Sequence, residues 1–289
     1  MNLLVTTSRS LLCLDLARGR HWPIHRGAGL YYGLAASDRH YLVAARHRLV
    51  SSPTPIADER GSILVFDQRL RHIATWQAPF ALRDLHQIAW HRGRLYATCS
   101  HDDLIAIREP DGRWWPWYPL GEPPGAPRDR HHFNSLHLTD HTLTVLAHNR
   151  GPSELLEFDR ASLTLRRRLP LGVQAHDLWQ AGGVWCTCSS GEGALRSEHG
   201  VLATPGQFPR GSAPAGQGRA IGLSAFAERA ARDLGDGAVI LYDRHWRERA
   251  RHSLPGEGLV LDLLPLPGPF SRLWRRLVGR RKSPAAAEM

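Results

Sequence analysis

Five short apolar runs recur along the chain and resemble one another. They are LLCLD (11–15), ILVFD (63–67), LIAIR (104–108), LLEFD (155–159) and VILYD (239–243). Successive runs lie 41 to 52 residues apart, except that the last gap is 84 residues, twice 42. A degenerate sixth copy is therefore predicted near residues 195–200. A strand-like repeat of about 40–50 residues indicates a β-propeller, in which each blade is a sheet of four strands.

Segments on either side of each run complete the predicted blade. Before the runs lie strand-like segments that end in small polar residues, such as LVTTS (4–8) and LYATCSH (95–101). Still earlier segments begin at residues 31, 85, 133, 175 and 220, and a fourth segment follows each run. These segments predict strands A to D of a blade, with strand A next to the axis, and the count gives six blades.

The two ends of the chain are predicted to share the first blade. The N-terminus begins with a B strand, and GLVLDLLPL (258–266) has the pattern of the missing A strand. Closing the ring in this way removes open sheet edges. The sequence thus predicts an all-β, six-bladed propeller over residues 1–267, followed by a tail at 268–289. A β-sandwich with many hairpins is the alternative, but the regular four-strand period favours the propeller.

Charge and hydropathy limit the classes of partner and the location. The net charge is +10, and half of it lies in residues 270–289. The remaining charge is spread over about 270 residues, a weak field that argues against nucleic-acid binding. No apolar stretch reaches the roughly 18–20 residues that a transmembrane helix needs. The N-terminal segment lacks a basic n-region, so we expect a cytoplasmic protein without a signal peptide, whose four cysteines are buried thiols.

The tail is predicted to form a short basic amphipathic helix. Its apolar residues have helical spacing and are Phe270, Leu273, Trp274, Leu277 and Val278. Such a helix can pack against an outer blade, which is the simplest interpretation. It can also bind anionic lipid as a peripheral membrane contact, or bind a partner protein, through residues 270–282.

The six predicted A strands, aligned on a shared apolar residue, bring polar side chains into two layers. Two residues before that position stand Tyr32, His86, Asn134, His176, Ile221 and Leu261. Four residues before it stand Leu30, Asp84, His132, Gln174, Arg219 and Leu259. Residues two apart in a strand share a face. Blades 3 to 5 therefore supply a polar wall that faces apolar residues of blades 6 and 1, an arrangement that suits a small-molecule pocket.

The ends of the B strands are expected at the same mouth. Four residues at these ends are further candidates for ligand binding, in addition to the two layers of the A strands: His101, His148, Asn149 and Arg150. The candidate substrate-binding set is Asp84, His101, Asn134, His148, Asn149, Gln174 and Arg219.

The segment VSSPTPIADER (50–60) lengthens one B–C connection at this mouth and is a candidate lid. RAARDLG (229–235), the expected B strand of blade 6, is irregular and indicates either an insertion or a pocket ion pair between Arg232 and Asp233.

The segment HFNSL (132–136), with HNR (148–150) at the end of the next strand, resembles the H-x-N-S motif of bacterial arylsulfotransferase-like propellers. The resemblance covers blades 3 to 5. It implies that His132 is the catalytic histidine and that Arg150 binds the oxygens of a transferred sulfuryl group. There is also a looser similarity to other bacterial six-bladed propellers. The calcium-binding gluconolactonase type is disfavoured, because only Asp84, Asp177 and Asp262 lie near the axial columns.

Three functional hypotheses follow. In the first, His86, His132 and His176 bind a divalent metal such as Mn, Fe or Zn, supported by Asn134 or Gln174. In the second, His132 is the nucleophile or general base of a metal-free transferase or lyase. In the third, the protein is a non-catalytic binding or scaffold propeller that uses the same face for a partner. The first two imply a small-molecule substrate.

Overall fold

The computed structural model describes residues 1–121, 129–225, 228 and 231–267. Within these residues 24 strands form six four-stranded antiparallel sheets. The innermost strands β4, β8, β12, β16, β20 and β24 contact one another in sequence around a ring. The chain is therefore a six-bladed β-propeller, as its repeat predicts.

The strands are numbered in chain order and grouped by blade. Blade 1 contains β24 (Val260–Leu266), β1 (Asn2–Thr7), β2 (Ser10–Asp15) and β3 (Arg20–Arg26). Blade 2 contains β4 (Tyr31–Ala36), β5 (His40–Ala45), β6 (Ser62–Asp67) and β7 (His72–Trp76). Blade 3 contains β8 (Leu85–His91), β9 (Arg94–Cys99), β10 (Leu104–Arg108) and β11 (Trp114–Trp117).

The remaining blades follow the same order from the axis outward. Blade 4 contains β12 (Phe133–Leu138), β13 (Thr142–Ala147), β14 (Pro152–Asp159) and β15 (Leu165–Val173). Blade 5 contains β16 (Ala175–Ala181), β17 (Val184–Ser189), β18 (Ala194–Ser197) and β19 (Gly200–Ala203). Blade 6 contains β20 (Phe208–Ala215), β21 (Gly218–Ser224), β22 (Gly237–Tyr242) and β23 (Glu248–Leu254). Single 3₁₀ turns lie at Ile56–Asp58, Ser100–Asp102 and Ser190–Glu192.

Closure of the ring by the two chain ends is confirmed. Strand β24 pairs antiparallel with β1, from Asn2 opposite Leu266 to Thr7 opposite Val260. The degenerate sixth copy of the repeat is β18, at the predicted position. The C-terminal helix and its proposed membrane or protein contact fall in residues 268–289, which lie outside the described residues.

The aspartates that end four of the apolar runs form turns. Asp67 accepts hydrogen bonds from the backbone N–H groups of Arg69 (2.8 Å) and Arg71 (2.9 Å). Asp15, Asp159 and Asp243 accept from backbone N–H groups two to four residues ahead in the same manner. An aspartate that bonds the backbone ahead of it is a standard turn former. The repeated aspartate therefore starts the C–D turn of a blade and is not part of a ligand site.

The core lies between neighbouring blades. Apolar side chains of adjacent sheets meet face to face, and the largest wholly buried ones include Tyr31, Phe66, Phe133 and Phe158. All four cysteines are buried and none forms a disulfide with another. Three of the outer strands, β3, β15 and β23, are rich in arginine and largely exposed.

The strand assignment in blade 6 was wrong at its inner edge. Residues 220–226 were predicted to form strand A, but Gly218–Ser224 is the second strand, β21, and Phe208–Ala215 is the innermost strand, β20. Strand β20 reads FPRGSAPA and lacks the apolar pattern of the other inner strands. Consequently Arg219 and Ile221 do not belong to the axial layers, and Arg210 takes the inner position instead.

Candidate functional site

A cavity of about 420 Å³ opens on the axis where the inner strands begin. All six blades contribute to it, and its polar wall consists of arginines, histidines, two aspartates and Gln174. The arginines are Arg46, Arg48, Arg150, Arg210 and Arg232, and the histidines are His86, His132, His148 and His176. Leu30, Val50, Ile56, Phe208 and Leu259 form an apolar wall. The cavity has a polar and an apolar side, but not from the predicted blades: most of the apolar residues belong to blade 2 and its connections, and blade 6, predicted to be apolar here, contributes Arg210 and Arg232.

The four histidines lie side by side around the cavity. The ring centres of His86 and His132 are 4.9 Å apart, those of His132 and His148 are 4.8 Å apart, and those of His148 and His176 are 5.0 Å apart. His86 and His176 complete the circuit with ring centres 6.5 Å apart. The histidines that the sequence alignment of blades 3 to 5 placed at one mouth are therefore neighbours in the structure.

Serines at the ends of two B strands hold His86 and His176 in equivalent ways. The Ser100 hydroxyl lies 3.0 Å from His86 Nδ1 and donates its proton to the Phe133 carbonyl at 2.7 Å. The Ser190 hydroxyl lies 2.9 Å from His176 Nδ1 and donates to the Pro209 carbonyl at 2.6 Å. Each hydroxyl oxygen can therefore only accept from the imidazole. Both histidines carry their proton on Nδ1, which leaves Nε2 with a lone pair.

His132 and His148 are held by different partners. His132 Nδ1 donates to Asp129 at 2.7 Å, and the same carboxylate forms an ion pair with Arg150. His132 therefore also has an unprotonated Nε2. His148 Nδ1 instead accepts a hydrogen bond from the Arg150 backbone N–H at 3.1 Å, which places its proton on Nε2. Three histidines thus offer lone pairs at Nε2, and the fourth offers an N–H donor.

The histidines are neutral at physiological pH. Burial lowers the pKa of all four, and it lowers those of His86 and His176 well below the ordinary value. The pKa of His148 falls to about 3, through burial first and then through the charges of His132 and Arg210. Neutral imidazoles at this depth can accept protons, donate hydrogen bonds or bind a metal ion.

A buried ion network lies beside the histidines. Arg46 donates to Glu59 through Nε at 2.9 Å and Nη2 at 2.6 Å, and it also pairs with Asp84. The Asp84 backbone N–H donates to Glu59 at 2.9 Å. Burial alone would raise the pKa of Asp84, but Arg46, followed by His86 and His132, lowers it below its ordinary value. The charge of Arg46 is therefore balanced inside the protein.

Arg210 differs from Arg46 because it forms no ion pair within the described part of the chain. Its side chain is buried, and its guanidinium lies over the Tyr32 ring, 4.9 Å from the ring centre. Its positive charge contributes to lowering the pKa of Asp84 and of His176. A buried guanidinium without an ion-pair contact is a strong candidate for binding an anion.

The predicted site residues divide into three groups. Asp84, His86, His132, His148, Arg150, Gln174 and His176 all line the cavity. Asn134 lies deeper on the axis, where its amide donates to the Ala175 carbonyl at 2.8 Å. His101, Asn149 and Arg219 are not in the cavity wall; Arg219 stacks on Trp179 and donates to Ser212, because it belongs to the second strand of blade 6.

Several residues of the site were not found from the sequence. Arg210 was missed because its strand lacks an apolar pattern. Asp129 and Glu59 lie on connections outside the strand alignment; Asp129 is only three residues before His132, whereas Glu59 reaches Arg46 through the turn of the chain between β5 and β6. A weak signal was available for Glu59, since it lies in the extended connection at residues 50–60 that was expected to reach the mouth.

Two long connections meet at the mouth. Val50 and Ile56 of the connection at residues 50–60 line the cavity. The Asp233 carboxylate accepts hydrogen bonds from the backbone N–H groups of Val50 (3.3 Å) and Ser51 (2.8 Å). The residues around Asp233 are thus part of an insertion and not a strand, and Asp233 ties this insertion to the connection of blade 2.

One group of residues has the spacing for a metal ion. Within the described residues, potential ligand atoms of Asp84, His86 and His132 all lie within 4.8 Å of one another. His176, one of the three predicted ligands, is not in this compact group. The Asp84 carboxylate already pairs with Arg46, which weakens it as a ligand for a metal ion.

Comparison with known proteins supports the fold and nothing finer. No family model matches the chain, and no curated protein matches it. Among solved structures, a chain in the crystal structure of a nidogen/laminin complex matches with a TM-score of 0.65 and 15% sequence identity. The match covers 91% of this chain and 97% of that one. The proposed resemblance to arylsulfotransferase-like propellers stays a prediction.

Among the described residues, no helix has the length and apolarity needed to cross a lipid bilayer.

Proposed function

We propose that the axial cavity binds a small organic molecule that carries a negatively charged group. The observation that carries this proposal is Arg210, a buried guanidinium with no ion pair among the described residues, beside neutral histidines. Five arginines line the cavity against two carboxylates, Asp84 and Asp129. A cavity of about 420 Å³ is within the range for small-molecule sites, and its apolar wall suits the uncharged part of the ligand.

His132 is the best candidate for chemistry on the bound molecule. Asp129 orients its ring through Nδ1 and leaves Nε2 able to accept a proton. Its side chain is 15% exposed, so a ligand in the cavity can reach it. A histidine oriented by a carboxylate is a common general base. The proposal is therefore an enzyme that binds an anionic substrate with Arg210 and acts on it with His132.

Replacing Arg210 with glutamine should weaken anion binding. A hydrogen bond to a charged group contributes about 1.5–3 kcal/mol, so the dissociation constant should rise roughly 10- to 150-fold. Isothermal titration calorimetry with phenyl phosphate and benzoate measures the effect, and benzyl alcohol serves as the uncharged probe. Arg219→Gln is the matched control, because this arginine lies in the neighbouring strand and outside the cavity wall.

The proposal is wrong if wild-type protein binds neither anion, or if Arg210→Gln and Arg219→Gln lower affinity equally. Circular dichroism of both variants is needed, since Arg219 packs on Trp179 and its loss can perturb folding.

A divalent metal bound by His86, His132 and His176 is the second candidate. It is favoured by the unprotonated Nε2 atoms of these three residues and by the partners of their Nδ1 atoms, Ser100, Asp129 and Ser190. Metal-binding histidines commonly donate their other ring N–H to such partners. The positive charge of Arg210 opposes a cation here, so this candidate ranks second.

Metal analysis separates the two candidates. If the histidines bind Mn, Fe or Zn, the purified protein should contain about one ion per chain, and His86→Ala should lose most of it. His148→Ala should retain the ion, because the Nε2 of His148 carries a proton and is not a ligand. Protein that takes up none of the three metals, or equal loss in both variants, would rule out this ligand set. An unchanged metal content together with loss of activity in His132→Ala would instead identify His132 as a base.

A further inference from the structure

His132 and His148 are neighbours in the cavity wall but present opposite hydrogen-bonding groups. Their ring centres are 4.8 Å apart, and both rings line the cavity. Asp129 accepts the Nδ1 proton of His132 at 2.7 Å, which leaves a lone pair on Nε2. The Arg150 backbone N–H donates to Nδ1 of His148 at 3.1 Å, which leaves an N–H on Nε2. The wall therefore holds a proton acceptor directly beside a hydrogen-bond donor.

The contact with the backbone fixes His148 as a neutral donor. An imidazolium ring carries a proton on both nitrogens, and the Arg150 N–H occupies the acceptor position of Nδ1. Within the described residues the Nε2–H group of His148 has no acceptor, so it is available to an atom in the cavity. Burial is the first cause that lowers the pKa of this histidine to about 3, in agreement with a neutral ring. A neutral imidazole can polarise a carbonyl group by donating to its oxygen.

His132 is the histidine best placed to remove a proton from a ligand. It is partly exposed, whereas His86 and His176 are buried. When Nε2 of His132 takes up a proton, the resulting imidazolium keeps the Asp129 carboxylate at Nδ1 as its counter-charge. A base held in this way is oriented before the reaction and stabilised as its charge forms.

Arg210 lies within electrostatic reach of both rings. It lines the same cavity, and its positive charge is among the causes that lower the pKa of His132 and of His148. An anionic group bound by this guanidinium therefore lies near the acceptor and the donor. A carbonyl group next to such an anion can present its oxygen to His148. The C–H bond on the other side of the carbonyl, only two bonds from that oxygen, then faces the neighbouring His132.

We propose that the site enolises an oxo acid, with His132 as the base and His148 as the electrophile, an inference that rests on the proposed binding of an anionic substrate by Arg210. The C–H bond next to the carbonyl breaks, and its proton forms an N–H bond on Nε2 of His132. The electron pair moves to the carbonyl oxygen. This enolate oxygen accepts a hydrogen bond from Nε2–H of His148, which keeps its own proton. Return of the proton to the same carbon completes an exchange that needs no co-reactant.

Exchange of the protons beside the carbonyl for deuterium tests this step. The full chain, in deuterium oxide with a chelator, should exchange these protons of 2-oxobutyrate or phenylpyruvate faster than buffer alone, as measured by proton NMR. His148→Ala should lower the exchange rate roughly 100- to 1,000-fold, as loss of one donor to an oxyanion does. His148→Gln keeps an N–H donor and should recover part of the rate. His141→Ala is the control, because this histidine is exposed between β12 and β13 of the same blade.

Two measurements without catalysis separate the role of His148 from a structural one. Nitrogen-15 NMR of histidine-labelled protein at neutral pH should show the proton of His148 on Nε2 and that of His132 on Nδ1. Benzoate should bind wild type and His148→Ala with the same affinity in calorimetry, because Arg210 holds the anion and the donor acts on the charge that forms in the transition state.

The inference is overturned if His148 carries its proton on Nδ1, or if wild type and His148→Ala exchange at equal rates. It is also overturned if an oxo acid whose affinity depends on Arg210 shows no exchange above the buffer rate, or if exchange requires an added metal ion. If no anion binds in a manner that depends on Arg210, the proposed anion site itself fails. The two failures are therefore distinguishable.

Discussion

Truncation of the chain after residue 257 is expected to abolish cooperative folding, because it removes the inner strand of blade 1. Strand β24 forms six register pairs with β1. Four of its apolar residues, Val260, Leu261, Leu263 and Leu266, are at most 5% exposed. Burial of each such side chain contributes about 1.5–3 kcal/mol. Their total loss is comparable with the whole stability of a domain, about 5–15 kcal/mol.

Truncation after residue 267 is the matched control. It removes residues 268–289 and keeps all of β24, so a single cooperative transition in urea or on heating should persist. Near-ultraviolet circular dichroism together with denaturant unfolding measures both chains. A cooperative transition of normal midpoint in the shorter chain would show that β24 is not needed to close the ring. Loss of folding in the longer chain would show that the tail completes the core.

Replacement of Arg46 by methionine is expected to destabilise the protein by about 3–5 kcal/mol, the usual cost of breaking a buried ion pair. The substitution leaves Glu59 and Asp84 buried without their main counter-charge. For a chain of this size, the midpoint of thermal unfolding should fall by roughly 6–20 °C. Arg71→Met is the control, since its ion pair with Asp67 is at the surface and contributes about 0–1 kcal/mol.

The cost of Arg46→Met should depend on pH. Arg46 holds the pKa of Asp84 below its unfolded value, so Asp84 stabilises wild-type protein above the ordinary carboxyl pKa and loses this contribution as the pH falls. In the variant the buried carboxylates can be protonated at higher pH, which removes the uncompensated charge. The difference in unfolding free energy between the two proteins should therefore shrink from pH 7 toward pH 4. A difference that is small at pH 7, or constant with pH, would contradict the assigned role.

The repeat in the sequence predicts most of the fold because propeller strands are local in sequence. Neighbouring strands of a blade are joined by short turns, so their apolar patterns follow one another at a constant period. The aspartates at 15, 67, 159 and 243 strengthen that period through their turns. Blade 6 was misassigned where this regularity fails, because the axial packing of β20 accepts proline, glycine, arginine and serine in place of an apolar pattern.

The candidate site was predicted in part for the same reason. His86 and His176 occupy the same aligned position of their strands and His132 stands two residues earlier, and closure of the ring brings both positions to one axis. That these three histidines lie close together could therefore be deduced from strand alignment alone. Their protonation could not, because it depends on the groups that accept hydrogen bonds from their Nδ1 atoms, Ser100, Ser190 and Asp129, which lie outside the aligned strands.

The sequence by itself determined the blade count, the closing strand and the histidine layer, since each follows from periodicity and from strand alternation. Only the tertiary structure decided which charges meet. Arg46 is balanced by Glu59 and Asp84, whereas Arg210 has no such partner within the described residues. Charge pairing depends on distances across blades and loops, which a local pattern does not encode. The choice of an anion site rests on those distances.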